Sequence, residues 1–446
     1  MSFKLYKHQE NAVNFILNNN GNACLWMDCG LGKTLTALKA FELLGAKTML
    51  VVCPLSLINA AWIEDINKFT NFTYCNLRGK KTEAQIYLIN YESFSKHKIK
   101  TDMIVIDESS KCKNFKSQIT KTLLAESHNY KYKIAMSATP APNNELEFWP
   151  QITFVDKSKL NESFYAFRNI YFELVRGDQT IPYVSGLQLA DMFKKGFKYK
   201  IKKSKSEDFF NKINKVSFWA KKEYCLDLPP KIFTTRDVYL SHAQMKVYKN
   251  MKRHMIAEIK DKVIAVHLAL VKYLKLRQLT SGFLIDENGE ATELADNAKL
   301  NVLMEVLEEL GDKQIMIFCQ FHKEIEEIQN KIKNYATLYS GTKDRDDSIS
   351  GFKKGRYQYL IGHVRSMAHG LSFTNCDTVI FYSNDYSFEM REQAINRIHR
   401  ATTTMPCNYI DLVCVGTIDE DILNVLQKKE SLQDLYERIT NPSKNS

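Results

Sequence analysis

Long apolar runs are missing from this chain of 446 residues, and with them any helix-forming stretch able to span a bilayer. The first ten residues, Met1 to Glu10, have no apolar core of the kind a secretory signal requires. Cys-X-X-Cys pairs are missing as well. The ten cysteines (Cys24, Cys29, Cys53, Cys75, Cys112, Cys225, Cys319, Cys376, Cys407 and Cys414) are scattered, with no histidine spacing that would close a zinc site. They read as buried thiols of a reducing compartment, so a cytoplasmic protein that does not engage membranes is expected. No sustained heptad suggests a dimerising coiled coil, and a monomer is expected.

What the chain does contain is the balance of a folded protein: 44% hydrophobic and 25% charged residues. Its length exceeds one ordinary core, so two principal domains are expected. Lys and Arg number 62 against 51 Asp and Glu, a formal charge of +11, which favours a polyanionic partner but equally suits simple solubility. Apolar, β-branched runs at Thr48–Cys53, Ile86–Ile89, Met103–Ile106 and Lys133–Met136 are short and separated by longer mixed segments, as buried parallel strands alternating with helices would be. The pattern resumes at Gln314–Cys319, Tyr359–Gly362, Thr378–Tyr382 and Asn408–Val413, with amphipathic helices expected over Lys299–Leu310 and Lys323–Lys333. The fold class is therefore α/β, with two lobes spanning 1–160 and 226–440, the second with a helical N-terminal part over Ser241–Leu279, and a frayed tail at 441–446. Between the lobes, 161–225 reads as a helical basic insertion or inter-lobe segment. Its stretch Lys194–Lys205 holds seven lysines with Phe197 and Tyr199 interleaved. Such a face suits phosphates and stacked bases, or solvent alone.

Strand-like Ala23–Met27 runs through Asp28-Cys29-Gly30-Leu31-Gly32-Lys33-Thr34 into helix-compatible Leu35–Leu44, the context a phosphate-binding loop needs. Gly30 and Gly32 let backbone N–H groups approach phosphate oxygens, Lys33 can reach the β and γ phosphates of ATP, and the Thr34 hydroxyl can bind Mg²⁺. Met27 stands where the longer consensus has its first glycine. Val105-Ile106-Asp107-Glu108 places two carboxylates at a strand end, Asp107 suited to the metal shell and Glu108 to orienting and deprotonating water. Met136-Ser137-Ala138-Thr139-Pro140 ends the next strand with two hydroxyls, suited to relaying nucleotide state or merely to closing a turn.

The order of these segments resembles the Swi/Snf-type ATPases of helicase superfamily 2 over nearly the whole chain. The first-lobe marks are Leu5-Tyr6-Lys7-His8-Gln9, the phosphate loop, Val51-Val52-Cys53-Pro54-Leu55-Ser56-Leu57 with Trp62 and Glu64, Asn90-Tyr91-Glu92, Asp107-Glu108-Ser109-Ser110 with Lys113-Asn114, and Ser137-Ala138-Thr139-Pro140. Leu228-Pro229-Pro230-Lys231 and Leu276-Arg277-Gln278 come next. The second lobe carries Ile317-Phe318-Cys319, Ser340-Gly341, Ala368-His369-Gly370-Leu371 and Gln393-Ala394-Ile395-Asn396-Arg397-Ile398-His399-Arg400. The resemblance implies two tandem RecA-like lobes with parallel sheets flanked by helices, Gln9 reading adenine, and Gly370 and Gln393 meeting the nucleotide. Gln393, Arg397 and Arg400 are three to four residues apart, so on a helix they would share one face from which guanidinium groups meet the γ-phosphate. Ser109-Ser110 departs from the usual small residue and histidine after the acidic pair, and Ser366 to Gly370 looks more like small bacteriophage or prokaryotic members than eukaryotic remodellers.

The activity implied by this resemblance is that of an ATP- and Mg²⁺-dependent DNA translocase or helicase in a bacterial or infected-host cytoplasm, acting on duplex or branched DNA in replication, recombination or repair. Backbone contacts are expected from Pro54–Ser56, Asn90–Glu92, Gln320–Phe321 and Arg365–Gly370. An RNA helicase and a nucleic-acid-binding scaffold without turnover are the alternatives. The Leu-Pro-Pro-Lys and Leu-Arg-Gln segments speak against the first, and the retained Lys33, Thr34, Asp107, Glu108, Arg397 and Arg400 against the second.

Overall fold

The computed structural model of the chain describes residues 4–96, 99–142, 144–160, 162–176, 179–181, 197–261, 266–286, 288–294, 296–367, 372–400 and 403–428. The chain divides between Asp227 and Leu228 into two compact units.

Strands of the first unit arise where β-branched and apolar residues run without interruption. They are β1 (Asn22–Met27), β2 (Met49–Cys53), β3 (Tyr74–Asn76), β4 (Ile86–Asn90), β5 (Met103–Asp107) and β6 (Tyr132–Ser137). Every residue of β2, β4 and β5 is buried, as expected of parallel strands covered on both faces. Side chains alternate across the sheet: Cys24, Leu50, Val52, Ile104 and Ile106 pack into one core layer, and Ala23, Met49, Val51, Met103 and Val105 into the opposite one. With β10 (Ser217–Ala220) these strands form a seven-stranded sheet in the order β10-β1-β6-β5-β2-β4-β3, parallel throughout.

The stretch expected to be a helical insertion contains the helices Phe164–Tyr171 and Ser206–Asn214, and also strands. β7 (Phe172–Arg176), β8 (Gln179–Ile181) and β9 (Lys198–Ile201) pair antiparallel in the order β8-β7-β9. The aromatic richness that suggested stacking surface is mostly used internally. Rings of Phe167, Tyr171 and Phe172 pack on Phe209 at centroid distances of 5.9, 5.6 and 5.7 Å. Alternation of buried Phe172 and Leu174 with outward Glu173 is a period of two, which decides for strand over helix. Lys194 and Lys195 lie outside the described residues.

The second unit repeats the logic. β11 (Lys231–Val238), β14 (Ile315–Cys319), β15 (Tyr335–Leu338), β16 (Tyr359–His363), β17 (Thr378–Phe381) and β18 (Cys407–Cys414) form a parallel sheet in the order β11-β18-β17-β14-β16-β15, and β12 (Phe283–Ile285) and β13 (Ala291–Glu293) form a separate hairpin. The helices His242–Asp261 and Val266–Thr280 occupy the stretch read as helical, and Ala298–Leu310 and His322–Gln329 match the two amphipathic segments. The parallel α/β class expected for both halves is thus the observed one. All ten cysteines are free thiols, nine of them buried. Among the described residues no helix is long and apolar enough to cross a membrane.

A buried ionic fork anchors the end of the second sheet. Arg391 donates from Nη1 and Nη2 to the two carboxylate oxygens of Asp411 on β18 at 2.6 and 2.7 Å, and Asn384 donates to the same carboxylate at 2.8 Å. Both partners are largely buried, so removing one leaves an uncompensated charge in the core. Asp411→Ala is expected to cost about 3–5 kcal/mol of stability, read as a fall in the urea midpoint; an unchanged midpoint contradicts the anchoring role.

Candidate nucleotide site

In the first sheet β6 lies between β1 and β5, so the C-terminal ends of these strands are neighbours and their loops open on one edge, where ligands of open parallel sheets bind. The turn after β1 carries Asp28 to Gly32, and the helix Lys33–Leu43 begins at once. Gly30 and Gly32 have φ of 86° and 75°, a region that side chains disfavour. At Gly32 a second constraint applies: a Cβ would lie 2.0 Å from Gln9 Nε2. Gln9, on the helix Lys7–Asn18, is itself fixed against the loop. Its Nε2 donates to the Leu31 carbonyl at 3.1 Å, its Oε1 accepts the Tyr6 N–H at 2.9 Å, and the His8 ring nitrogen donates to Leu31 O at 3.0 Å. Gln9 is buried, so these bonds hold its amide firmly against the turn.

Lys33 curls over the loop and donates from Nζ to the Met27 carbonyl at 2.9 Å. Thr34 follows in the first helical turn, and the Thr36 hydroxyl ties that turn to Gly32 O at 3.1 Å. The loop base is held by a residue distant in sequence: Asp28 accepts the Lys222 N–H at 2.9 Å, just after β10.

Asp107 ends β5 with its carboxylate buried. Burial pushes the carboxyl above the usual range, against the opposing pull of the Lys33 ammonium, the Trp62 indole and the Glu108 amide. Trp62 Nε1 donates to Oδ2 at 2.9 Å and the Glu108 N–H to Oδ1 at 3.0 Å. Trp62 reaches it from a π-helical turn, Ile58–Ile63, a local irregularity often found at functional positions. Glu108 has φ 55° and ψ 55°, a left-handed conformation costing on the order of 1–3 kcal/mol for a residue with a side chain. The Tyr91 hydroxyl, in the Asn90-Tyr91-Glu92 segment, donates to the Asp107 carbonyl at 2.7 Å.

These residues suit Mg²⁺. Asp107 and Thr34 are hard oxygen donors, and among the described residues no group of three or more His, Cys, Asp or Glu could enclose a metal. Mg²⁺ takes oxygen donors of this kind. A cation there would also relieve the cost of ionising a buried acid.

A connection that sequence reading missed runs from the acidic pair to the hydroxyl-bearing segment. Ser109 donates from Oγ to Gln151 Oε1 at 2.6 Å, and Gln151 Nε2 donates to the Pro140 carbonyl at 2.6 Å and to Glu147 O at 3.0 Å. Ser137 Oγ accepts the Thr139 N–H at 3.1 Å. Gln151 is fully buried in the helix Phe148–Val155. The only signal for it in the sequence was a polar residue inside an apolar helix. Ser109 is thus linked, through Gln151, to the carbonyl of Pro140 at the end of the hydroxyl-bearing segment.

In the second unit Gln393, Arg397 and Arg400 do not share a helical face. The helix Phe388–Ile395 ends before the arginines, with Asn396 as its cap. Instead, Arg397 Nε donates to Gln393 O at 2.7 Å and Arg400 Nε to Asn396 O at 3.0 Å, so side chains bind carbonyls at the helix end and beyond. The chain past Ile395 is pinned by other bonds: Tyr409 OH to Ile395 O at 2.8 Å, the Phe373 N–H to Arg397 O at 3.0 Å, and Thr403 Oγ1 to Ile398 O at 2.7 Å. The His399 ring donates to Pro229 O at 2.9 Å, which joins this loop to Leu228-Pro229-Pro230-Lys231. Arg277 of the Leu-Arg-Gln segment donates to Asn384 O at 2.6 Å and lies over the Phe321 ring. Gly370, with Ala368, His369 and Leu371, lies outside the described residues.

The SNF2-related domain family matches residues 8–281, and the helicase conserved C-terminal domain matches residues 298–402. Protein p41 of Acyrthosiphon pisum secondary endosymbiont phage 1 is 23% identical over 92% of this chain and 93% of its own length. The DNA repair and recombination protein RDH54 of Saccharomyces cerevisiae is 24% identical over 87% of this chain, which spans 46% of that protein. Among solved structures, the Sulfolobus solfataricus SWI2/SNF2 ATPase core in complex with double-stranded DNA is 25% identical over 98% of this chain and 93% of that one, at a TM-score of 0.44.

The indole hydrogen bond provides a test of the metal site. Trp62→Phe keeps an aromatic ring but removes the donor to Asp107, and partners of this kind are typically worth roughly 10–100-fold in metal affinity or activity. The Mg²⁺ concentration for half-maximal ATP hydrolysis should rise by about 10-fold or more, with the circular dichroism of the folded chain retained. An unchanged Mg²⁺ dependence removes Trp62 from the site.

Proposed function

The chain belongs to the SNF2-related family of helicase-like ATPases, and from that premise we propose that it is a DNA translocase whose ATP turnover is driven by duplex or branched DNA. The observation that carries the proposal is the meeting, on one edge of a parallel sheet, of the Gly30–Thr34 loop with the Asp107–Glu108 pair. Gln9 lies against that loop through Leu31. Such a site suits a nucleoside triphosphate and not merely a phosphate ion, because it offers groups for base, phosphates and attacking water together.

In this reading Gln9 presents its remaining donor and acceptor to adenine. Backbone N–H groups of Gly30 to Lys33 cradle the phosphates, and Lys33 exchanges the Met27 carbonyl for β- and γ-oxygens. Thr34 and Asp107 would hold Mg²⁺, whose positive charge would offset that of the phosphates. Glu108 orients the attacking water and takes its proton. Arg397 and Arg400 meet the γ-phosphate as charge builds, a contribution of about 10³–10⁵ in rate in comparable enzymes. Release of their carbonyl partners near the end of the Phe388–Ile395 helix would accompany that step.

Grip on the strand is assigned to Pro54–Ser56, Asn90–Glu92, Gln320–Phe321 and Arg365–Gly370. Two of these segments are held by buried groups. Tyr91 bonds the Asp107 carbonyl, and Glu324 accepts the N–H groups of Gln320 and Phe321 at 2.8 and 3.1 Å. Backbone contacts of this type are independent of sequence and sensitive to salt. Forks, displaced strands and four-way junctions are the proposed substrates. A relative whose name assigns it to DNA repair and recombination supports this choice.

The test is steady-state ATP hydrolysis with no nucleic acid, single-stranded DNA, linear duplex, four-way DNA and RNA. Duplex or four-way DNA should stimulate turnover most. Lys33→Ala and Glu108→Gln should abolish it, and Arg397→Ala should lower it by about 10³ or more while leaving ATP binding intact. Equal turnover with and without every nucleic acid rejects the translocase reading, and stimulation by RNA alone favours an RNA helicase.

A further inference from the structure

We infer that the outer face of the small β8-β7-β9 sheet is a second DNA-contact surface, one that holds the phosphodiester backbone of duplex DNA apart from the nucleotide site. This rests on the DNA-translocase reading of the chain. The sheet is amphipathic by alternation. Phe172 and Leu174 of β7 are buried and Tyr199 and Ile201 of β9 pack toward the core of the first unit, which turns Lys198 and Lys200 outward. Beyond β9 the chain turns through Lys202, Lys203 and Ser204, and the outer face closes into a concavity of about 550 Å³.

The lining is Lys200, Lys202, Lys203, Thr180, Ser204, Glu173, Val175 and Ile201. Among the described residues the lining thus counts three lysines and two hydroxyl-bearing residues against one acid, Glu173, which stands across from Lys200 in the strand register. The balance is two positive charges within one shallow depression, and Lys198 and Lys205 extend it along the exposed surface. Lys202 is braced by donating from Nζ to the Asn169 carbonyl at 2.6 Å, which holds that part of the wall in place. Ammonium groups beside short hydroxyls are phosphate chemistry: point charges neutralise the oxyanions and hydroxyls donate to them. The expected contact is with the backbone and blind to sequence, because lysines and hydroxyls match phosphate oxygens, which every sequence presents alike.

The test uses the full chain carrying Lys200→Gln and Lys203→Gln together, which removes two charges without setting a new carboxylate against Glu173. Lys353→Gln with Lys354→Gln, an equal charge change on an exposed turn of the second unit, is the control. Affinity for a 30-base-pair duplex is measured against salt concentration. Removing one lysine–phosphate pair lowers the slope of log affinity on log salt by roughly 0.9, so the double variant should show a slope smaller by about 2 and weaker binding at low salt, on every duplex sequence. The control slope, ATP affinity and DNA-free ATP turnover should match the wild type. A slope equal to the wild type, or an equal fall in the control, overturns the surface while leaving the translocase reading standing. A wild type that binds no duplex overturns both.

Discussion

Everything at the nucleotide site depends on a carboxylate that burial makes costly to ionise. Asp107 stands at the end of a fully buried strand, and the surroundings answer its charge from several directions: the Lys33 ammonium, the Trp62 indole and the Glu108 amide. Each comes from a different element, so the position of one charged group coordinates the phosphate loop, the π-helical turn and the strand end. The sheet order makes this possible by placing β5 one strand away from β1, with β6 between. Two glycines with positive φ, the left-handed Glu108 and the π-turn are local costs concentrated at this edge. The rest of the first unit, with two apolar layers on a parallel sheet, supplies the rigidity that maintains them.

Much of this was legible in the amino-acid sequence because the signals are local. Uninterrupted apolar runs such as Met49–Cys53 and Met103–Ile106 have only one good solution, a strand buried on both faces. Gly30 and Gly32 between a strand and a helix mark a tight turn, and both have the positive φ that such a turn asks of glycine. What was not legible depends on contacts between segments far apart in sequence. Asp28 is held by the amide of Lys222, Ser109 reaches Gln151, and His399 finds the Pro229 carbonyl. No periodicity reports such pairs. The antiparallel strands β7, β8 and β9 were missed because a lysine- and aromatic-rich composition masked a period of two only a few residues long.

The arginine segment shows where spacing misleads. Residues 393, 397 and 400 are correctly spaced for one helical face, yet the helix stops at Ile395, and the Arg397 N–H closes a tighter turn on the Ala394 carbonyl. Tyr409 claims the Ile395 carbonyl and Arg397 itself claims that of Gln393. Both guanidinium groups bond backbone carbonyls at the helix end or just past it. The buried Arg391–Asp411 fork fixes the helix that precedes them. In this way the second unit couples its core to its most chemically capable loop.

The central claim is that energy released at the Asp107 edge moves the chain along DNA. The direct measurement is displacement of a fluorescent third strand from a triplex positioned on a linear duplex, a geometry in which only movement along the duplex evicts the label. With ATP and Mg²⁺ the label should leave in a single phase whose delay lengthens with the distance from the duplex end, and Lys33→Ala should leave it bound. Release at the same rate without ATP, or full ATP turnover on the duplex with the third strand undisturbed, would contradict the account.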